Sequence, residues 1–170
     1  PSIVYSVDDN FTTNFMTLLN RLPLFPLYYS GKTKFTPIHC SDLIEIIFHV
    51  ITNDINSNII ECIGPETFSF KEILEKLLEL IEKKRILIPL PFFVANLSAK
   101  FFQIFPRPLI TQDQLRLLKY DNLPSGKYKT NFQINVPSTR YFLKEVEKYC
   151  YMWREGGQFS VKNYKIKIEQ

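Results

Sequence analysis

The stretch that most restricts the fold is residues 35–51, Phe-Thr-Pro-Ile-His-Cys-Ser-Asp-Leu-Ile-Glu-Ile-Ile-Phe-His-Val-Ile. A short extended run passes through a turn and opens directly into an amphipathic helix. Asp42 is the expected N-cap, since its carboxylate can accept the backbone N–H groups that a first helical turn leaves unpaired. Glu45, three residues on, completes the pattern of a capping box. Leu43, Ile46, Ile47, Val50 and Ile51 then recur at i, i+3, i+4, i+7 and i+8, the spacing of one apolar helix face. A strand running straight into such a helix is the joint of a mixed α/β domain.

The surrounding chain repeats the alternation. Residues 2–5 are β-prone and end in the polar turn 6–10. A helix is expected over 11–21, with Phe15, Leu18, Leu19 and Leu22 on one side, and Pro23 and Pro26 are expected to end it. Residues 58–63 read as a strand stopped by Gly64-Pro65. Ser69-x-x-Glu72 forms a second capping box, followed by Phe70, Ile73, Leu74, Leu77 and Ile81 on one face, while Lys71, Glu75, Lys76, Glu79 and Glu82 make a solvated face with i,i+4 support. Residues 85–90 form another short strand. Strand, helix, strand, helix, strand is the order of an α/β architecture.

Beyond Pro91 the character changes. Residues 92–105, which open with Phe92 and close with Phe105, read as a helix with one narrow polar stripe of Asn96, Lys100 and Gln103. At fourteen residues it is too short to span a bilayer, so it is either a core helix or a contact with a partner or membrane surface. Thr111-x-x-Gln114 caps a further helix. A last helix is expected from Ser138 to about Arg154, buried on its Phe142, Val146, Tyr149 and Trp153 side and ended by Gly156-Gly157. Residues 160–170 form a basic peripheral tail, leaving 1–159 as one domain.

Composition narrows the chemistry. With 45% hydrophobic and 22% charged residues over 170 positions, the chain has material for a globular core. A net charge of +4, without a lysine stripe interleaved with aromatics, gives no sign of nucleic acid. Cys40, Cys62 and Cys150 are an odd, scattered set, neither a disulfide framework nor a zinc site, and point to a reducing compartment. Five glycines, none clustered before a helix, cannot build a phosphate-cradling loop. Tyr28-Tyr29-Ser30-Gly31-Lys32 matches Tyr-x-x-x-Lys, but Pro26 and Gly31 favour a turn, where the two side chains would not share a helix face. His39 precedes the helix cap and His49 lies on its polar side; both read as structural or surface residues. Asp8, Asp9 and Asn10 read as turn-formers more readily than as ligand contacts. Pro1 stands where an initiator methionine is absent, and a buried strand starts at once. A fragment or processed product lacking its upstream part is therefore expected.

Several of these stretches resemble the C-terminal half of extended short-chain dehydrogenase/reductase proteins, the NAD-dependent epimerase/dehydratase-like group. Pro1-Ser2-Ile3-Val4-Tyr5, Asp9-Asn10-Phe11, Gly31-Lys32-Thr33, Pro37-Ile38, Asp42 and Gly64-Pro65-Glu66 carry that resemblance. Pro89-Leu90-Pro91-Phe92, Thr111-Gln112-Asp113-Gln114, Leu117-Leu118, Asp121-Asn122 and Gly156-Gly157-Gln158-Phe159 are most similar to the NAD(P)-binding accessory subunits of respiratory complex I, NADH:ubiquinone oxidoreductase. One departure is Ser6-Val7, where the group has Gly-Pro. The resemblance implies a Rossmann-like NAD(P)-binding fold whose glycine-rich N-terminal half, with any Tyr/Lys pair, is missing here. It implies NADP(H) or NAD(H) as cofactor in the full-length protein, with Pro1 and Ser2 near the nicotinamide end and Val4 beneath them. It implies no catalytic residue in this stretch and complex I subunits as partners. The expected location is the matrix side of the mitochondrial inner membrane, or the cytoplasm and inner membrane face of a bacterium. The alternatives are the substrate-binding half of an active nucleotide-sugar epimerase, dehydratase or reductase, and a stand-alone interaction domain.

Overall fold

The computed structural model describes residues 1–55, 59–90 and 118–159. The helices expected over 92–105 and after Thr111, and the tail 160–170, lie outside the described residues. In chain order the elements are β1 (Val4–Tyr5), α1 (Thr12–Arg21), β2 (Leu24–Leu27), β3 (Lys34–Phe35), β4 (Ile38–His39) and α2 (Cys40–Thr52). They continue with β5 (Ile60–Glu61), β6 (Phe68–Ser69), α3 (Phe70–Leu80), β7 (Ile86–Pro89), β8 (Lys129–Thr130) and α4 (Phe142–Glu147). Among the described residues the strands form four two-stranded pairs. Three are parallel, β1 with β4, β2 with β7 and β5 with β8; β3 and β6 are antiparallel. Parallel pairs linked through helices are the α/β arrangement read from the sequence.

Helix α3 is the centre of the main core. Phe70, Ile73, Leu74, Leu77 and Ile81 are all fully buried, each contributing about 1.5–3 kcal/mol relative to exposure. They share one apolar cluster with Met16 and Leu19 of α1, Phe25 and Leu27 of β2, and Phe142 and Val146 of α4. Phe15 ties the layers together, its ring 5.3 Å from Phe70 and 5.9 Å from Phe25 in edge-to-face contacts. The capping box is present in full. The Glu72 N–H donates to Ser69 Oγ (3.2 Å) and the Ser69 N–H to Glu72 Oε2 (2.7 Å).

Helix α1 ends at Arg21, ahead of Pro23 as expected, and Pro26 lies inside β2. The bonds from Ile86 N to Pro23 O and from Leu90 N to Leu27 O place pairing groups on alternate residues. Pro26 and Pro89 therefore fall where the nitrogen faces away from the partner strand, and no ladder bond is lost.

The long C-terminal helix is broken into α4 and a 3-10 turn, Cys150–Trp153. Ser138 is not a cap, because its hydroxyl donates to Ile63 O (2.8 Å) and accepts from the buried Asn131 amide (3.1 Å). The helix begins instead where Glu66 Oε2 accepts the Phe142 N–H (2.8 Å). Phe142, Val146 and Tyr149 are nevertheless buried as read, and Trp153 is half-buried.

A second correction, after that of the C-terminal helix, concerns α2, which starts at Cys40, two residues before the expected cap. Its N-cap is His39, whose Nδ1 accepts the Ser41 N–H (3.2 Å). Only Ile46 of the expected apolar face is fully buried; Leu43 and Val50 are half-buried, and Ile47 and Ile51 face outward.

Candidate functional site

Two arrangements of polar and backbone groups stand out. One is a cleft beside Pro1 and Ser2; the other is a charged joint at the start of α2.

The cleft encloses about 260 Å³ and is lined by Pro1, Ser2, residues 59–63 and residues 122–124. Its walls are fixed by long-range bonds. The Ser2 N–H donates to Cys62 O (3.0 Å), while Ser2 Oγ accepts the Thr36 N–H (3.2 Å) and faces Asn122 O at 3.4 Å. The segment at Asp121-Asn122 is held from the other side, by the Lys34 N–H on Asp121 Oδ1 (2.9 Å) and the Asn122 N–H on Lys34 O (2.8 Å). Gly64 is required here. A Cβ on it would lie 1.7 Å from the Pro37 carbonyl oxygen, so only glycine lets the chain leaving β5 cross the approach to β4.

The predicted cofactor residues are thus partly brought together. Pro1 and Ser2 both line the cleft; Val4 does not, and packs half-buried in the cluster of Ile38, Ile46 and Cys62. The Ser2 hydroxyl already has protein partners, so the wall offers a ligand mainly shape, the Pro1 ring and backbone. Glu61 at the rim accepts the Ser125 N–H with both carboxylate oxygens (3.0 and 2.9 Å), which holds its pKa below the usual range. The Cys62 thiol is pushed up by burial, the opposite of what a nucleophile needs.

The joint at α2 is built from residues that sequence reasoning read differently. Asp42, 2% exposed, pairs with the Arg140 guanidinium and accepts the Arg140 N–H on Oδ2 (3.1 Å). Glu45 takes the other guanidinium nitrogen at 3.0 Å. The two supposed capping carboxylates therefore clamp one arginine 98 residues away from Asp42. His39 stacks edge-on against Tyr5 (5.3 Å) and lies 3.9 Å from Glu145. Burial lowers its pKa below 6.5, partly opposed by Glu145, and the neutral ring is the form that can cap the helix. Tyr5 is buried with its hydroxyl donating to Arg140 O (3.2 Å), and burial raises its pKa strongly.

Other candidates resolve as structural. Tyr28 and Lys32 flank a left-handed turn, with Tyr29, Ser30 and Gly31 at φ 51, 57 and 66°, so they share no helix face. Asp9 closes the turn before α1, its Oδ2 accepting the Ser6 N–H (3.0 Å), and caps the helix start, its Oδ1 accepting the N–H groups of Phe11 (2.7 Å), Thr12 (2.5 Å) and Thr13 (3.3 Å). Among the described residues no group of three His, Cys, Asp or Glu side chains could hold a metal ion, and no helix is long and apolar enough to cross a membrane. Sequence reasoning missed Arg140 and Asn131 and misread Ser138 as a helix start. No local pattern marks them, since their partners lie far along the chain.

No family model matches the chain. It is 26% identical over 136 residues to NADH dehydrogenase [ubiquinone] 1 alpha subcomplex subunit 9, mitochondrial, of Arabidopsis thaliana, a match that takes in 74% of this chain and 34% of the plant protein. The fold is similar to that of a dTDP-4-dehydrorhamnose reductase of Clostridium acetobutylicum, with a TM-score of 0.54 and 17% identity, covering 86% of this chain and 44% of the reductase. The chain thus spans about a third of the plant subunit and under half of the reductase. The complex I resemblance read from the sequence recurs in the similarity to the plant subunit, and the chain has a Rossmann-like α/β fold similar to that of the reductase over part of that protein's length.

Proposed function

We propose that residues 1–159 are the substrate-side part of an NAD(P)H-binding, dehydrogenase-like accessory or assembly protein of respiratory complex I, with 160–170 as a peripheral tail. The observation that carries this reading is the 26% identity to the plant complex I subunit over 74% of the chain. The cleft at Pro1 and Ser2 supports it by offering a wall fixed by long-range hydrogen bonds, against which a bound nucleotide could rest. In this reading Pro1 and Ser2 border the nicotinamide end of NADP(H) or NAD(H), and Val4 supports them from the core. The partners are complex I subunits, with residues 92–105 as a further contact to a membrane surface. The place of action is the matrix side of the mitochondrial inner membrane or the cytoplasmic face of a bacterial one.

A second reading, the substrate-binding half of an active nucleotide-sugar reductase or epimerase, is favoured by the likeness to the reductase fold. One experiment separates them. The longest polypeptide encoded by the reading frame of residues 1–170 is purified and assayed for bound nicotinamide nucleotide, for co-purifying complex I subunits, and for hydride transfer to dTDP-sugars. Retained cofactor with complex I association and no turnover is the expected result. Steady hydride transfer without such association would replace the accessory role with the enzymatic one.

A further inference from the structure

A second cavity, of about 450 Å³, lies beside the first and has no part in the reading above. The two share Ile59 and Ile60 and no other lining residue. Ile55, Ile59, Ile60 and Ile134 make its apolar part, and the Lys-Tyr-Lys segment 127–129 makes the rest. That segment is fastened at both ends. Before it, the Lys127 N–H donates to Ser125 Oγ (3.1 Å), and the Ser125 N–H is held by the Glu61 carboxylate. After it, Lys129 stands opposite Ile60 in the ladder of β5 and β8, and the Asn131 N–H donates to Glu61 O (3.2 Å). Asn131 is itself fully buried and bonded to Ile63, Val136 and Ser138. Two lysines and a tyrosine are thus set against an isoleucine floor by contacts that reach far along the chain.

The lining selects by charge and by shape. It holds two cations and no carboxylate, imidazole or thiol, so a metal ion or an organic cation would be repelled. Among the described residues neither Lys127 nor Lys129 is in an ion pair. An anion is therefore the electrostatic complement. A nucleobase needs partners for its polar edge, and beyond the lysines and the Tyr128 hydroxyl every lining side chain is isoleucine. A peptide adding as a strand beside β8 is blocked at Thr130. Its N–H donates to Gln133 Oε1 (2.9 Å), and its carbonyl accepts from the N–H groups of Gln133 and Ile134 (3.0 and 3.3 Å). Four branched aliphatic side chains suit a hydrocarbon chain, and the volume falls within the roughly 300–1,000 Å³ of small-molecule sites. We propose that this cavity binds a single-chain aliphatic anion, a medium-chain fatty acid, with its carboxylate at Lys127 and Lys129 and its chain against the isoleucines. The proposal uses neither the accessory role nor the nicotinamide nucleotide, so either can fail alone.

The test is calorimetric titration of sodium decanoate into the polypeptide of the preceding experiment. One-site saturation is expected. Decanol lacks the charge and butyrate is too short to cover the isoleucines, so each should bind at least about tenfold more weakly. Lys127→Gln/Lys129→Gln should weaken decanoate by about tenfold or more, whereas Lys127→Arg/Lys129→Arg should keep most of the affinity. Both lysines are exposed, so the denaturation midpoint should not move, and retention of nicotinamide nucleotide should match the parent. Absence of saturable binding would overturn the proposal, and is the result expected if another part of the chain fills the cavity. Decanoate binding that the glutamine variant leaves unchanged would place the site elsewhere and overturn it as well. Equal binding of decanol or butyrate would remove the anion or the chain from the assignment, and tighter binding of AMP would make the site one for nucleotides. Joint loss of decanoate and nicotinamide nucleotide in the glutamine variant would merge the two cavities into one site and sink the proposal.

Discussion

Helices α2 and α3 are of similar length and equally regular in their apolar spacing, yet the structure uses them differently. In α3 the apolar face is fully covered and the first turn is closed by two residues of its own segment, Ser69 and Glu72. In α2 one residue of the apolar arc is fully covered, and the first turn is held by an imidazole and by an arginine from beyond residue 138. The difference shows that periodicity reports how much apolar surface a helix has to bury. Which side is covered, and by what, depends on the elements brought beside it.

The contrast can be broken most sharply at the core. Leu74→Ala in α3 should cost about 2–5 kcal/mol, the range for a buried leucine replaced in a packed interior, whereas Ile51→Ala in α2 should stay within about 0.5 kcal/mol in residues 1–170. Urea denaturation of both variants decides it. Equal losses would mean that Ile51 is covered in solution.

Next in size is the arginine clamp. Asp42→Ala should destabilise by about 3 kcal/mol, the lower end for a broken buried ion pair, because Arg140 keeps 30% of its side chain exposed. A simple N-cap would lose about 0.5–2 kcal/mol. An Asp42/Arg140 double-mutant cycle separates the two, since a cap would show no coupling to Arg140.

Ser69→Ala in α3 should cost about 1 kcal/mol. Ser69→Asn, which keeps an acceptor at the cap, should recover most of that loss in thermal melts.

The smallest effect concerns pH. Burial holds His39 neutral in the fold with its pKa below 6.5, so the unfolded chain binds more protons on acidification. Stability is then full above about pH 6.5 and declines as pH falls through the folded value. His39→Asn retains a cap acceptor but cannot take the proton. Its stability should be flatter than the parent's between about pH 7 and 5; parallel curves would remove His39 as the source.

Much of the fold was legible from local pattern. The capping box at Ser69 and Glu72, the buried face from Phe70 to Ile81, and the strands at residues 60–61 and 86–89 depend on neighbours within a few positions. That residues 28–32 form a turn was likewise readable from Pro26 and Gly31, though not that Tyr29 and Ser30 take left-handed backbone. The cleft was less so. Pro1 and Ser2 line it while Val4 packs into the core, and the Ser2 hydroxyl is occupied by groups 34 and 120 residues away.

The sequence by itself determined which segments are helical over most of α1, α2 and α3, which residues are apolar enough to be covered, and that the order of elements is α/β. These follow from backbone sterics and side-chain spacing, which act over one or two turns of chain. Tertiary structure alone decided that Asp42 and Glu45 hold Arg140 instead of capping α2, that Glu66 starts α4, and which side of α2 the described residues bury. A carboxylate satisfies whichever donor is nearest once the chain is compact. Loop closure over about a hundred residues adds only a few kcal/mol, so a guanidinium far along the chain can displace a local N–H as its partner.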